Sequence, residues 1–253
     1  MQILTVLKKF SIQMRLYGPA RWIARHLRPA QLQAHYDDIS FYRTLLPDSA
    51  LCFDVGANIR EKSEAMLKIG ARVVAFEPSP EALFELRARC GRYKDWTFVP
   101  AAVGSEPDIA ILSCPKDSGK SSLVEGWNQD VVSTTYVPVV TLDTAINTFG
   151  KPFYCKIDVE GWELEVLRGL THPITLLSFE FHLNERGIAN TLLCLKRLED
   201  FGPSYVNITP AESPFFHFPE WIPLKQYVEW FPGDLKHTLP GYLYGDIFVK
   251  NVS

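Results

Sequence analysis

DVGANIR, residues 54–60, closes a short apolar run, Leu51–Val55, and leads into a helical pattern, Ser63–Ile69, stopped by Gly70. A strand that ends in a glycine turn and passes directly into a helix begins a βαβ unit. The same rhythm continues along the chain. Further strands are expected at Arg72–Phe76, Thr97–Val103, Phe153–Ile157, Ile174–Phe181, Tyr205–Ile208 and Leu243–Val249. Helices are expected between them at Pro80–Cys90, Trp162–Arg168 and Ile188–Asp200. Ser79-Pro80 marks a helix start, because serine accepts from the free first-turn amides and proline suits the first helical position. This alternation predicts an α/β fold with a mostly parallel sheet and helices on both faces. Ligands on such sheets bind beyond the carboxyl ends of the strands, so the strand-ending residues are where chemistry is sought.

The 253 residues suffice for a sizeable core, and 47% hydrophobic with 22% charged residues is globular composition. No stretch approaches the about 20 uninterrupted apolar residues of a membrane span. A net charge of −3 gives no basic surface for nucleic acid, and no nucleic-acid partner is expected. The five cysteines are scattered and never form CxxC, so a reducing cytoplasm is expected rather than a disulfide framework. Charge is uneven along the chain. Six basic residues (Lys8, Lys9, Arg15, Arg21, Arg25, Arg28) precede the first acidic one, Asp37, interleaved with Ile3, Leu4, Leu7, Phe10 and Trp22. Residues 1–50 therefore read as an amphipathic helical extension, capping the main domain or touching a membrane surface peripherally. The main domain, 51–253, carries an expected inserted hairpin (about 108–142) and an aromatic, proline-rich insertion (about 209–242).

At the first strand's end, Gly56 permits a tight turn whose backbone can approach a ligand. Glu77 ends the second strand, where a carboxylate accepts from ribose hydroxyls. Together they imply a nucleoside-containing cofactor; the alternative is an acidic strand end that caps a helix. The G-x-G-x-x-G of a dinucleotide site is missing, and Asp54 would repel a pyrophosphate. An acidic turn suits a cationic amine and sulfonium, which favours S-adenosylmethionine over NAD.

DVGAN (54–58), AFEP (75–78), PAAVG (100–104), VTLD (140–143) and KIDVEG (156–161), in that order, resemble the FkbM family of S-adenosylmethionine-dependent O-methyltransferases. The resemblance runs from Leu51 to Phe181. It implies the class I methyltransferase (Rossmann-like) fold, a seven-stranded mostly parallel sheet with an antiparallel last strand. It also implies cofactor contacts from Asp54, Gly56, Ala57 and Asn58 in the turn, and from Glu77 and Pro78 at the ribose. Ala101 and Ala102 would leave room for adenine, Ser121 and Ser122 would lie near the pocket, and Asp158 near the methyl sulfonium. Arg60 departs from the family, which usually has glycine there; it would either crowd the methionine portion or point outward. Implied acceptors are sugars, glycoconjugates or other small molecules.

Methyl transfer to a hydroxyl needs an aligned nucleophile and a proton acceptor. In FEFH, Glu180 and His182 face the same side by the strand's period of two. His182 is the expected general base, with a structural histidine as the alternative, and Asp158 would orient it or bind the acceptor hydroxyl. Glu160 is either catalytic or a cap on the helix that follows. No metal-ligand spacing is present, and no metal is expected. Phe215, Phe216, Trp221, Tyr227 and Trp230, with His217 and Asp234, would form a lid over the acceptor, or else a minor core. Two other functions remain open on sequence: a non-catalytic binding module of this fold, and a nucleotide-dependent oxidoreductase, disfavoured by the missing glycines.

Overall fold

The structure, a computed structural model, describes residues 29–59, 61–116, 120–211, 213–231 and 241–252. The basic stretch 1–28, Arg60 and Asp234, on which three of the expectations rest, lie outside the described residues. The chain runs α1 (Pro29–Leu45), β1 (Leu51–Val55), α2 (Lys62–Lys68), β2 (Arg72–Phe76), α3 (Pro80–Cys90), β3 (Trp96–Val99) and β4 (Ala102–Val103). It continues β5 (Asp108–Pro115), β6 (Val131–Val140), α4 (Leu142–Phe149), β7 (Tyr154–Ile157), α5 (Glu163–Arg168) and β8 (Leu176–His182). It ends α6 (Glu185–Glu199), β9 (Ser204–Pro210), β10 (Ile222–Pro223), α7 (Leu224–Trp230) and β11 (Tyr244–Asn251).

The main sheet has the order β10-β9-β11-β8-β7-β1-β2-β3. β1, β2, β3, β7 and β8 are mutually parallel, and β11 is antiparallel to both β8 and β9. The sheet has eight strands rather than the seven expected; the extra one is the two-residue edge strand β10, from the aromatic insertion. β1 and β2 are buried after their first residue, as strands covered on both faces must be. Their alternate residues serve opposite cores. Phe53, Phe76, Ile157 and Phe179 pack under α5 and α6, whereas Cys52, Tyr154 and Phe248 pack against Tyr42 of α1 and Met66 of α2.

The strand expected over Thr97–Val103 is broken. Pro100 has no N–H to donate, the Ala101 amide turns back onto Val99 O at 2.9 Å, and Ala102–Val103 joins β6 in a separate sheet, β4-β6-β5. That sheet contains the expected hairpin, formed by β5 and β6. α4 was not anticipated; Thr141 caps it by accepting from the Thr144 amide at 3.0 Å. Among the described residues no helix is long and apolar enough to cross a membrane.

The aromatic insertion corrects the sequence reading. Phe216 packs edge-on to Phe41, Trp221 and Phe248, while Tyr227 and Phe231 are buried in the main core. β10 pairs with the edge strand β9 and α7 follows directly, so the segment folds back along the sheet. Phe215 and Trp230 stay exposed, and none of these aromatics reaches the cavity described below.

Candidate active site

The turn after β1 is built for a close passage. Gly56 has φ +75, and the Gly56 and Ala57 amides both donate to Phe76 O, at 3.0 and 3.1 Å. A Cβ at Gly56 would lie 1.9 Å from the Asp158 carbonyl oxygen, so the glycine is required by the end of β7 rather than by the approach of a ligand. Asn58, also left-handed at φ 47, donates its amide to Glu77 Oε2 at 2.9 Å. The Ser79 amide donates to Glu77 Oε1 at 2.7 Å. Both oxygens of this buried carboxylate are thus fixed by backbone, and each keeps a second lone pair for a ligand hydroxyl. Burial pushes Glu77 up to about 7 against the pull of the two amides.

A cavity opens at the carboxyl ends of β1, β2 and β7. Of the expected cofactor residues, Gly56, Asn58, Glu77, Pro78, Ala101, Ala102, Ser121 and Asp158 line it, with Glu160 and Trp162. Asp54, Ala57 and Ser122 do not. Asp54 is buried behind the wall, where the Ser63 hydroxyl donates to Oδ2 while Oδ1 has no hydrogen-bond partner among the described residues. Burial raises its pKa; Lys156, opposite it in the β1–β7 ladder, and Ser63 oppose that shift. Ala57 packs against Ala75 and Leu86. The Ser122 hydroxyl donates to Glu160 O at 2.7 Å and accepts from the Val124 amide at 3.0 Å, which ties the loop to the wall.

These residues fit an adenosine-bearing cation. Glu77 is an anchored diol acceptor, Ala101 and Ala102 leave space, and Asp158 and Glu160 are acidic. Among the described residues the buried indole N–H of Trp162 has no acceptor, which suits a ligand acceptor. No Lys, Arg or His is among the described lining residues, so a pyrophosphate would meet carboxylates and no cation.

A second group of residues surrounds His182. Its Nε2 lies 3.0 Å from Glu180 Oε2, so the orienting carboxylate is Glu180, not Asp158. Asp158 is held instead by Lys156, Nζ to Oδ2 2.7 Å, with both side chains buried. Glu160 is not the cap: Glu163 accepts the Gly161 amide at 3.0 Å and the Asn190 side chain at 2.8 Å. Glu160 instead accepts the Trp127 indole N–H at 3.3 Å, from a left-handed backbone at φ 53. The ring of Trp127 stands 5.4 Å from that of His182, and the ring of Tyr244, on β11, stands 6.3 Å from it. Burial lowers the His182 pKa, but the bond to Glu180 and the charges of Glu163 and Glu160 outweigh it, and the net shift is upward. Burial pushes Glu180 up to about 8. Glu160, Glu180 and His182 also present ligand atoms within 4.8 Å of one another, a spacing a divalent cation could bridge, although the sequence shows no metal motif.

Sequence reasoning missed Lys156, Glu163, Trp127 and Tyr244. Lys156 was findable, since period two puts it on the same side as Asp158. Trp127 sits in an aperiodic loop and gave no signal.

The sheet order, with an antiparallel β11 inserted between parallel neighbours and an acidic residue ending β2 over the β1 turn, defines a class I methyltransferase fold. The family model described as Methyltransferase FkbM domain matches residues 54–208. The chain belongs to the FkbM methyltransferase family, is a methyltransferase, and uses S-adenosylmethionine. It is 28% identical over 199 residues, 71% of this chain and 78% of the relative, to hexuronic acid methyltransferase AglP of Haloferax volcanii. Precorrin-6y C5,15-methyltransferase from Geobacter metallireducens aligns with a TM-score of 0.46 at 14% identity over 87% of each chain. Fibrillarin from Aeropyrum pernix, solved with S-adenosyl-L-methionine, aligns at 0.44 with 9% identity, over 80% of this chain and 66% of that one.

Proposed function

We propose that the protein methylates a hydroxyl oxygen of a sugar or sugar-bearing acceptor, with His182 as general base. The observation that carries this reading is the His182–Glu180 pair, 3.0 Å apart at the end of β8, beside a cavity walled by Asp158 and Glu160. The hexuronic acid methyltransferase relative supports a sugar acceptor and, with it, an oxygen nucleophile. In this reading Glu77 receives the ribose hydroxyls, and Gly56, Ala57, Asn58 and Pro78 shape the turn around it. Ala101, Ala102 and Ser121 accommodate the base, Ser122 supports the wall, and Asp158 with Asp54 behind it supplies the negative field for a cationic ligand.

Bound S-adenosylmethionine supplies an activated methyl electrophile and a thioether leaving group. The chain supplies alignment and a place for the proton. With Nε2 beside Glu180 at 3.0 Å, Nδ1 is the nitrogen left to receive the acceptor's hydroxyl proton. Lys156 holds Asp158 in place, Nζ to Oδ2 2.7 Å. Glu160, held by Trp127, faces the acceptor side as a hydrogen-bond acceptor. Calorimetry and transfer of labelled methyl to a sugar panel test both halves. Glu77→Ala should weaken S-adenosylmethionine binding by about 1–3 kcal/mol through lost charge-assisted hydrogen bonds. His182→Ala should leave that binding intact and cut turnover by roughly 10²–10⁴-fold. Full turnover of the His182 variant would move the base elsewhere, and no transfer to any sugar would sink the acceptor assignment.

A further inference from the structure

Arg186 lies in the first turn of α6, close after His182. Its guanidinium carbon sits 5.5 Å from the centroid of the Trp127 ring, and Nη2 donates to Glu125 O at 3.4 Å. The residue is exposed and, among the described residues, makes no ion pair. One indole therefore carries three groups: Arg186 over the ring, His182 at 5.4 Å, and Glu160 on the N–H. The arrangement is rigid. A Cβ at Gly187 would come within 2.6 Å of His182 Cβ and O, and Asn184 caps the helix by accepting the Gly187 amide at 2.8 Å. The start of α6 is thus seated directly on His182.

The charge around this spot is one-sided. Glu160, Glu163 and Glu180 act on the base, Asp158 acts on Glu180, Lys156 is committed to Asp158, and His182 lies against Glu180. An anionic acceptor would be repelled there unless a cation met it, and Arg186 is positioned to do so. A stacked guanidinium presents a planar fork that matches a carboxylate bidentately, which a lysine cannot reproduce. Tyr244, 6.3 Å from the His182 ring, and exposed Leu243, whose carbonyl accepts the Leu183 amide at 2.8 Å, add flat and apolar surface for a sugar ring.

We infer that Arg186, stacked on Trp127, binds the carboxylate of the acceptor, and that the preferred acceptor is a carboxylated sugar rather than a neutral one. The inference rests on the sugar-methyltransferase reading above. Its test uses the full chain saturated with S-adenosylhomocysteine. D-Glucuronate and D-galacturonate are titrated against D-glucose and D-galactose, and binding is followed by calorimetry or saturation-transfer NMR. The uronates should bind at least tenfold tighter than their neutral counterparts. Arg186→Gln should remove that preference, Arg186→Lys should recover only part of it, and both variants should keep wild-type S-adenosylhomocysteine affinity. In turnover, Arg186→Gln should raise KM for a uronate with kcat changed little. Equal binding of uronates and neutral sugars, or a preference surviving in Arg186→Gln, overturns the inference and leaves the sugar reading standing. Binding of no sugar at all overturns both.

Discussion

At His182 two forces oppose each other: burial disfavours the imidazolium, while Glu180 at 3.0 Å favours it, and the latter prevails. A general base must be unprotonated to act, so the acid limb of kcat/KM should lie above the ordinary histidine value of 6.5. Glu180→Gln removes the charge that raises it. The limb should then move to lower pH while kcat falls, because a neutral amide no longer stabilises the imidazolium that forms as the proton arrives. A pH profile unmoved by Glu180→Gln would show that the pair does not hold the transferred proton. The pairing was legible because residues two apart on a strand share a side. The assignment of Asp158 as the orienting group was not, because only the fold reveals that Lys156 occupies it.

Among the elements, the turn between β1 and α2 carries the strictest requirement. Gly56 combines φ +75 with a hypothetical Cβ contact of 1.9 Å to the backbone oxygen of Asp158, which cannot step aside without disturbing β7. Gly56→Ala should therefore cost about 2–4 kcal/mol in urea denaturation, strain and clash together. A loss below about 1 kcal/mol would mean that the turn is not held as described. The bounds of β1, β2 and α3 could be read from sequence because Gly70, Ser79-Pro80 and Gly91 bracket them. Where burial rather than local pattern decides, the sequence was silent. Pro100 divides one apolar run between two sheets, and the rings of 209–231 pack along the sheet instead of over the site.

Across the molecule, the site concentrates carboxylates whose burial raises their proton affinity: Glu77 and Glu163 to about 7 and Glu180 to about 8, from 4.5. Between those limits the folded state binds more protons than the unfolded chain, so stability falls as pH rises through that window; the raised His182 acts in the same direction. The cofactor-free protein should accordingly melt a few degrees higher at pH 6 than at pH 8. Glu77→Gln should reduce the difference. A Tm that increases toward pH 8 would contradict this electrostatic account.

The acidic cavity and the neighbouring base together amount to one claim, that a methyl group leaves S-adenosylmethionine for a sugar oxygen deprotonated by His182. Its most direct test is to incubate the protein with S-adenosylmethionine carrying a ¹³C-labelled methyl and a panel of uronates and neutral glycosides. NMR correlation then assigns the atom that bears the label. The account predicts a single labelled O-methyl on a sugar ring with wild-type protein, and a roughly 10²–10⁴-fold slower appearance of the same product with His182→Ala. Label on nitrogen or carbon, or an O-methyl formed at the same rate without the imidazole, would contradict it.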